Sequence, residues 1–193
     1  MNVNMMLDID RGSTALVVID LQKGIASRHT KPHDAKTVVA NSARLADACR
    51  KNSMPVFLVR VAASGPERLS PIADEQWPAP ANMPADWSEL VDEMAPQTGD
   101  IVIAKKQWGA FYGTELDLQL RRRGMRTIVL CGIATNYGVE STARFAYEYG
   151  YQQIFAEDAM ASMAAEMHAA SINFVLKRLG RVRSTDDIIA ALA

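Results

Sequence analysis

The feature that most constrains this chain is a repeated alternation of short apolar runs with stretches of helical periodicity. "TALVVID" (Thr14–Asp20) is rich in branched residues and ends in an acid, the pattern of a strand buried on both faces. "AKTVVANSARLADACRKN" follows, with Val38, Val39, Ser42, Leu45, Ala46 and Cys49 recurring at helical spacing. Pro55 then opens "VFLVRV". Further runs come at "DIVIAK" (Asp100–Lys105), "RTIVLCG" (Arg126–Gly132) and "YQQIFAEDA" (Tyr151–Ala159), and "GRVRS" adds a short sixth. A strand–helix alternation of this kind requires a parallel sheet covered on both faces. With right-handed crossovers the expected architecture is α/β, a three-layer αβα sandwich on a mostly parallel, six-stranded sheet, with residues 1–193 as a single domain. Ligands of such sheets bind at the carboxyl ends of the strands, near the point where the strand order reverses.

Helix boundaries are marked locally. Thr114 and Asp117 have the spacing of a capping box for "TELDLQLRRR", and Gly124 ends that helix in the left-handed region. The helix after residue 138 ends at Gly150, "AAEMHAASINFVLKRL" runs to Gly180, and Ser184 with Asp187 caps the last helix. Residues 62–86 break the rhythm. Six of the eight prolines fall between Pro66 and Pro96, and Trp77 and Trp87 lie in or beside the segment, so a lid or a subunit contact is expected there.

Composition narrows the partners. A formal net charge of −1 supplies no global field for nucleic acid or an anionic membrane. No apolar run reaches the length of a membrane span, and the acidic start "MNVNMMLDIDRG" is no signal peptide. With only Cys49 and Cys131 present, a cytoplasmic location without disulfides is the expectation. No G-x-G-x-x-G, phosphate-binding loop or G-x-S-x-G elbow occurs, and no cofactor is expected. His29 and His33 are the only histidines at metal-like spacing, in a polar loop beside Asp34. They read as exposed loop residues, and no metal is expected.

The remaining candidates sit where strands stop. Asp20 ends the first run, Lys105 the third, and the Gly132–Gly138 turn follows the fourth. Over one sheet edge Asp20 and Lys105 could meet. The lysine would then lower the acid's pKa while burial raised it.

The blocks "ALVVIDLQKG", "IVIAKKQWGAFYGTELDLQLRRRG", "TIVLCGIATNYGVESTARFAYEYGY" and "AEDAMAS" resemble the isochorismatase-like hydrolases, also called the cysteine hydrolase or nicotinamidase-related family, over residues 13–190. The resemblance implies a dimer or larger homo-oligomer, a cis peptide at Ile133–Ala134, and a catalytic set of aspartate, lysine and cysteine. The first two match Asp20 and Lys105, and the third falls on Gly138. Loss of that thiolate removes the covalent route to amide hydrolysis. Cys131, inside a strand, is the one alternative nucleophile. The metal-binding histidines of nicotinamidases have no match.

Isochorismatases also carry glycine at this position and split a vinyl ether without a covalent intermediate. The resemblance therefore implies acid catalysis by Asp20 on a small enol ether, with Lys105 balancing charge and Gly138 leaving room. Gln22, Trp108, Phe111, Tyr112, Ile133, Ala134, Asn136 and Tyr137 are the expected substrate contacts. Two positions differ from isochorismatases, whose ring-contacting tyrosine and histidine are Ala134 and Asn136 here. The alternatives are a cysteine-dependent amidohydrolase using Cys131 or a degenerate binding protein.

Overall fold

The computed structural model describes residues 7–62, 67, 69, 71–75 and 83–193. Trp77, together with much of the proline-rich segment expected to form a lid or contact, lies outside the described residues. Six parallel strands form one sheet in the order β3-β2-β1-β4-β5-β6. They are β1 (Thr14–Ile19), β2 (Val56–Val61), β3 (Ile101–Lys105), β4 (Thr127–Ile133), β5 (Gln152–Ala161) and β6 (Arg181–Arg183). Every residue of β1 is buried, as its uninterrupted apolar run requires. Each fully buried Val, Leu or Ile side chain there contributes about 1.5–3 kcal/mol.

The chain runs outward from β1 through β2 to β3, then returns to β4 on the other side of β1 and runs outward again. The order reverses between β1 and β4, so the ligand-binding crevice of this topology lies above their carboxyl ends. Helix α2 (Ala35–Lys51) packs on β1, β4 and β5 and against α7 (Thr185–Ala190). On the opposite face α4 (Glu140–Glu148) packs on β5 and α6 (Lys177–Leu179). Three layers result, as expected.

Several local expectations are refined. The Ser184–Asp187 capping box forms, and Gly124 and Gly150 adopt φ of 68° and 80°. The Thr114–Asp117 box does not form. Helix α3 (Leu116–Arg122) starts after Glu115 without a side-chain cap. Thr114 Oγ1 instead donates to the Ala110 carbonyl (2.5 Å) and accepts from Leu116 N–H (3.1 Å), while Asp117 accepts from the Tyr151 hydroxyl. The expected helix up to Gly180 is continuous but widens to π geometry over Ser171–Leu176, between α5 (Ala165–Ala170) and α6.

β5 runs two residues beyond the expected Ala159, because of an irregularity in its pairing with β4. Leu130 pairs with Phe155 but Gly132 with Met160. The extra length bulges out and turns Glu157 and Asp158 away from the ladder, a common means of re-aiming side chains at a site. Asp158 Oδ1 accepts from both the backbone N–H and the hydroxyl of Thr185, anchoring α7 at 2.7 and 2.8 Å.

The carboxyl ends of β1 and β4 approach closely at Gly132. Its φ is 118°, and a Cβ there would lie 2.0 Å from the Ile19 carbonyl oxygen. Strain and backbone collision coincide, so Gly132→Ala should cost at least about 3 kcal/mol. Gly150→Ala, with a positive φ but open space around the Cβ, should cost only about 1–2 kcal/mol. Urea denaturation checks both, and equal losses would contradict the close-approach account.

Candidate active site

Asp20 lies one residue beyond β1 with φ 55°, in the left-handed region that aspartate tolerates better than most residues. Its N–H donates to the Val59 carbonyl at 2.9 Å. Lys105 ends β3, two strands away, or about 10 Å at the usual strand spacing. Its four-carbon stem spans that gap, and Nζ reaches Asp20 Oδ2 at 2.8 Å. Both groups are buried, at 4% and 1% exposure. Lys105 Nζ also donates to the Trp108 carbonyl.

Asp20 Oδ1 has no hydrogen-bond partner among the described residues. A buried carboxylate with a bare oxygen is costly, so the neutral form is less disfavoured than in water. Burial pushes the Asp20 pKa up to about 6, against the opposing pull of the Lys105 charge. The pair therefore holds one oxygen on an ammonium and leaves the other available to carry a proton.

The third element is the turn after β4. The Ile133–Ala134 bond is cis, as the resemblance implied. A π-type turn, Thr135–Val139, then leads into α4. A Cβ built on Gly138 would lie 3.0 Å from Asp20 Oδ2, 3.2 Å from Lys105 Nζ and 2.8 Å from Ile19 Cγ2. Any side chain at 138 would thus press on the Asp20–Lys105 pair. The structure brings Asp20, Lys105 and Gly138 into one constellation.

The other expected contacts separate. Ile133 and Ala134 are buried at the cis bond. Tyr137 meets Trp108 edge to face at 4.9 Å, and Trp108 and Tyr112 are largely exposed. Asn136 accepts a hydrogen bond from Ser162. The Phe111 ring packs on Tyr149 and stacks on Tyr151, the residue before β5. Gln22 is wholly buried and acts as a backbone clamp. Its Oε1 accepts from Val61 N–H (2.7 Å), and its Nε2 donates to the carbonyls of Val61 (3.3 Å) and Trp87 (3.2 Å). Trp87 in turn covers Gly24, where a Cβ would collide with the indole at 2.0 Å.

Sequence reasoning missed a second cluster. His33 pairs not with the exposed His29 but with Glu157 of the β5 bulge, which also holds His168 of α5. His168 is buried, its Nε2 is 2.9 Å from Glu157 Oε1, and its Nδ1 is 2.8 Å from Thr135 Oγ1. The hydrogen bond from His168 is the largest influence holding Glu157 down to a pKa of about 2. Only the bulge and the chain crossover bring these residues together, so no short spacing signals them.

The isochorismatase domain family matches residues 14–187. The uncharacterized isochorismatase family protein YwoC of Bacillus subtilis (strain 168) is 51% identical over 95% of this chain and 96% of its own length. YecD of Escherichia coli O157:H7, likewise an uncharacterized isochorismatase family protein, is 49% identical over 97% of this chain and all of its own. A solved isochorismatase family protein from Burkholderia thailandensis superposes with a TM-score of 0.91 at 40% identity, covering 97% of this chain and 98% of that one. The chain belongs to the isochorismatase family and is an enzyme of its hydrolase class. No helix among the described residues is long and apolar enough to cross a membrane.

Carbon-13 NMR of the Asp20 carboxyl should show a titration midpoint near pH 6. In Lys105→Met, which removes the charge that favours ionisation, the midpoint should move higher. An Asp20 midpoint in the ordinary carboxylate range would contradict the burial argument.

Proposed function

We infer that this enzyme hydrolyses a small enol ether of the isochorismate type by acid catalysis, without a covalent enzyme intermediate, and that Gly138 marks a subgroup lacking the family's cysteine. The observation that carries this reading is the orphaned Oδ1 of a buried aspartate whose pKa lies well above its usual value. A proton carried there would have no neighbouring acceptor among the described residues to compete with carbon.

In the proposed reaction, protonated Asp20 gives its proton to the terminal carbon of the enol ether, generating an oxygen-stabilised cation. Lys105 balances the carboxylate that forms. Water attacks the cation, its proton returns to Asp20, and the hemiketal collapses to a keto acid and an alcohol. The balance is one water consumed and one C–O bond cleaved. Gly138 supports this division of labour because its Cβ position lies against the pair, so no thiol stands where the family's cysteine would. Trp108 and Tyr112, exposed on the segment that follows Lys105, would form the rim past which substrate enters.

A thiol mechanism finds no support. Cys131 is fully buried in β4 opposite Val18, and desolvation pushes its thiol up to about 12, so it offers no thiolate near neutrality.

Incubation with isochorismate, followed by measurement of pyruvate release, tests the reading. Asp20→Asn should lose about 10²–10⁴-fold in rate, while Cys131→Ser should retain turnover. Because the acid must be protonated, kcat/KM should fall about tenfold per pH unit once pH rises well above the Asp20 pKa. Absence of pyruvate, or full activity in Asp20→Asn, would contradict it.

A further inference from the structure

We propose that His33, Glu157 and His168 form a binding site for a divalent transition metal of the zinc type, separate from the Asp20–Lys105 centre. Three elements distant in sequence deliver one ligand atom each: the loop before α2, the β5 bulge and α5. Both imidazole Nε2 atoms converge on the same carboxylate oxygen, Glu157 Oε1, at 3.2 Å for His33 and 2.9 Å for His168, and all three atoms lie within 4.8 Å of one another. The edge of a tetrahedron of nitrogen and oxygen ligands around zinc is about 3.3 Å, so an ion can be seated by small side-chain adjustments.

The surroundings suit a built site. His168 is almost completely buried, whereas His33 and Glu157 are half-buried and leave one side open for a water as fourth ligand. The His33 loop is anchored, since Thr30 Oγ1 donates to the His33 carbonyl (2.9 Å) and Lys31 exchanges two backbone hydrogen bonds of 2.8 Å with Ser162. Thr135 on Nδ1 supplies the outer partner that ligating histidines ordinarily have. Two neutral imidazoles and one carboxylate give a net charge of −1, suited to a dication. The nitrogen donors favour zinc-type ions over calcium or magnesium, which need more oxygens.

Binding carries a consequence for the turn. Without an ion, His168 can donate from Nε2 to Glu157 and accept at Nδ1 from the Thr135 hydroxyl. With an ion on Nε2, the ring proton must sit on Nδ1 and point at Thr135, reversing that hydrogen bond. Thr135 opens the turn that carries Gly138, so metal loading would be felt at the active site's edge.

The test uses untagged, chelator-treated full-length protein titrated with Zn²⁺ by calorimetry and with Co²⁺ by visible absorption. The expected result is one equivalent bound, with the ligand-field bands of a four-coordinate cobalt. Affinity should fall by about tenfold or more in His33→Asn and in Glu157→Gln, and stay unchanged in His29→Ala. Circular dichroism verifies that each variant is folded. Nitrogen-15 NMR should report the His168 proton moving from Nε2 to Nδ1 on Zn²⁺ addition. No stoichiometric binding, binding that persists in both folded ligand variants, or equal competition by Mg²⁺ overturns the proposal and leaves a purely hydrogen-bonded cluster.

Discussion

A buried aspartate sharing one oxygen with a buried ammonium is the interaction around which this molecule is arranged. Taking both charges out of water is expensive, and their attraction offsets that cost only when the geometry is good. The fold provides the geometry by ending β1 and β3 at the same sheet edge, with β2 between them, so that a lysine stem of the right length closes the gap. The lysine's second bond, to the Trp108 carbonyl, fixes it from the other side. The unpaired Asp20 Oδ1 is the part of the arrangement that stability does not explain, and it is the atom on which the proposed acid catalysis rests.

The turn after β4 is held from two directions. Its inner side meets the ion pair at Gly138, whose Cβ position lies within 3.0 Å of Asp20 Oδ2 and 3.2 Å of Lys105 Nζ. Its outer side and the start of α4 are tied down by three side-chain links to the segments that follow: Thr135 to His168, Asn136 to Ser162, and Glu140 to Ser171. Gly132 lets the end of β4 pass β1 closely enough for both sides to engage. In the proposed mechanism such a support would keep the single general acid in a productive position.

Much of this was legible in the sequence, because strand runs and helix periods are local signals. The strands ending at Asp20 and Lys105, the glycine terminators and the Ser184 cap follow from residue chemistry within a few positions. What escaped depends on tertiary geometry. The β5 bulge has no local signature, and Glu157, which meets His33 and His168, lies in it. Thr114 looked like a cap because spacing alone cannot reveal that Ala110 and Leu116 would engage its hydroxyl instead. Phe111 follows Trp108 closely in sequence, yet its ring packs on Tyr149 and Tyr151, contacts that no local spacing signals. Gln22 is next to the catalytic candidate in sequence, yet its amide is wholly used in holding backbone.

The central claim is that a substrate's reacting carbon sits against Asp20 Oδ1 and over Gly138. A crystal structure of Asp20→Asn soaked with isochorismate addresses this directly. The account predicts the enol-ether carbon within contact of the substituted side chain, no covalent bond to protein, and Lys105 beside it. Density for the ligand at another surface, or joined to Cys131, would contradict it.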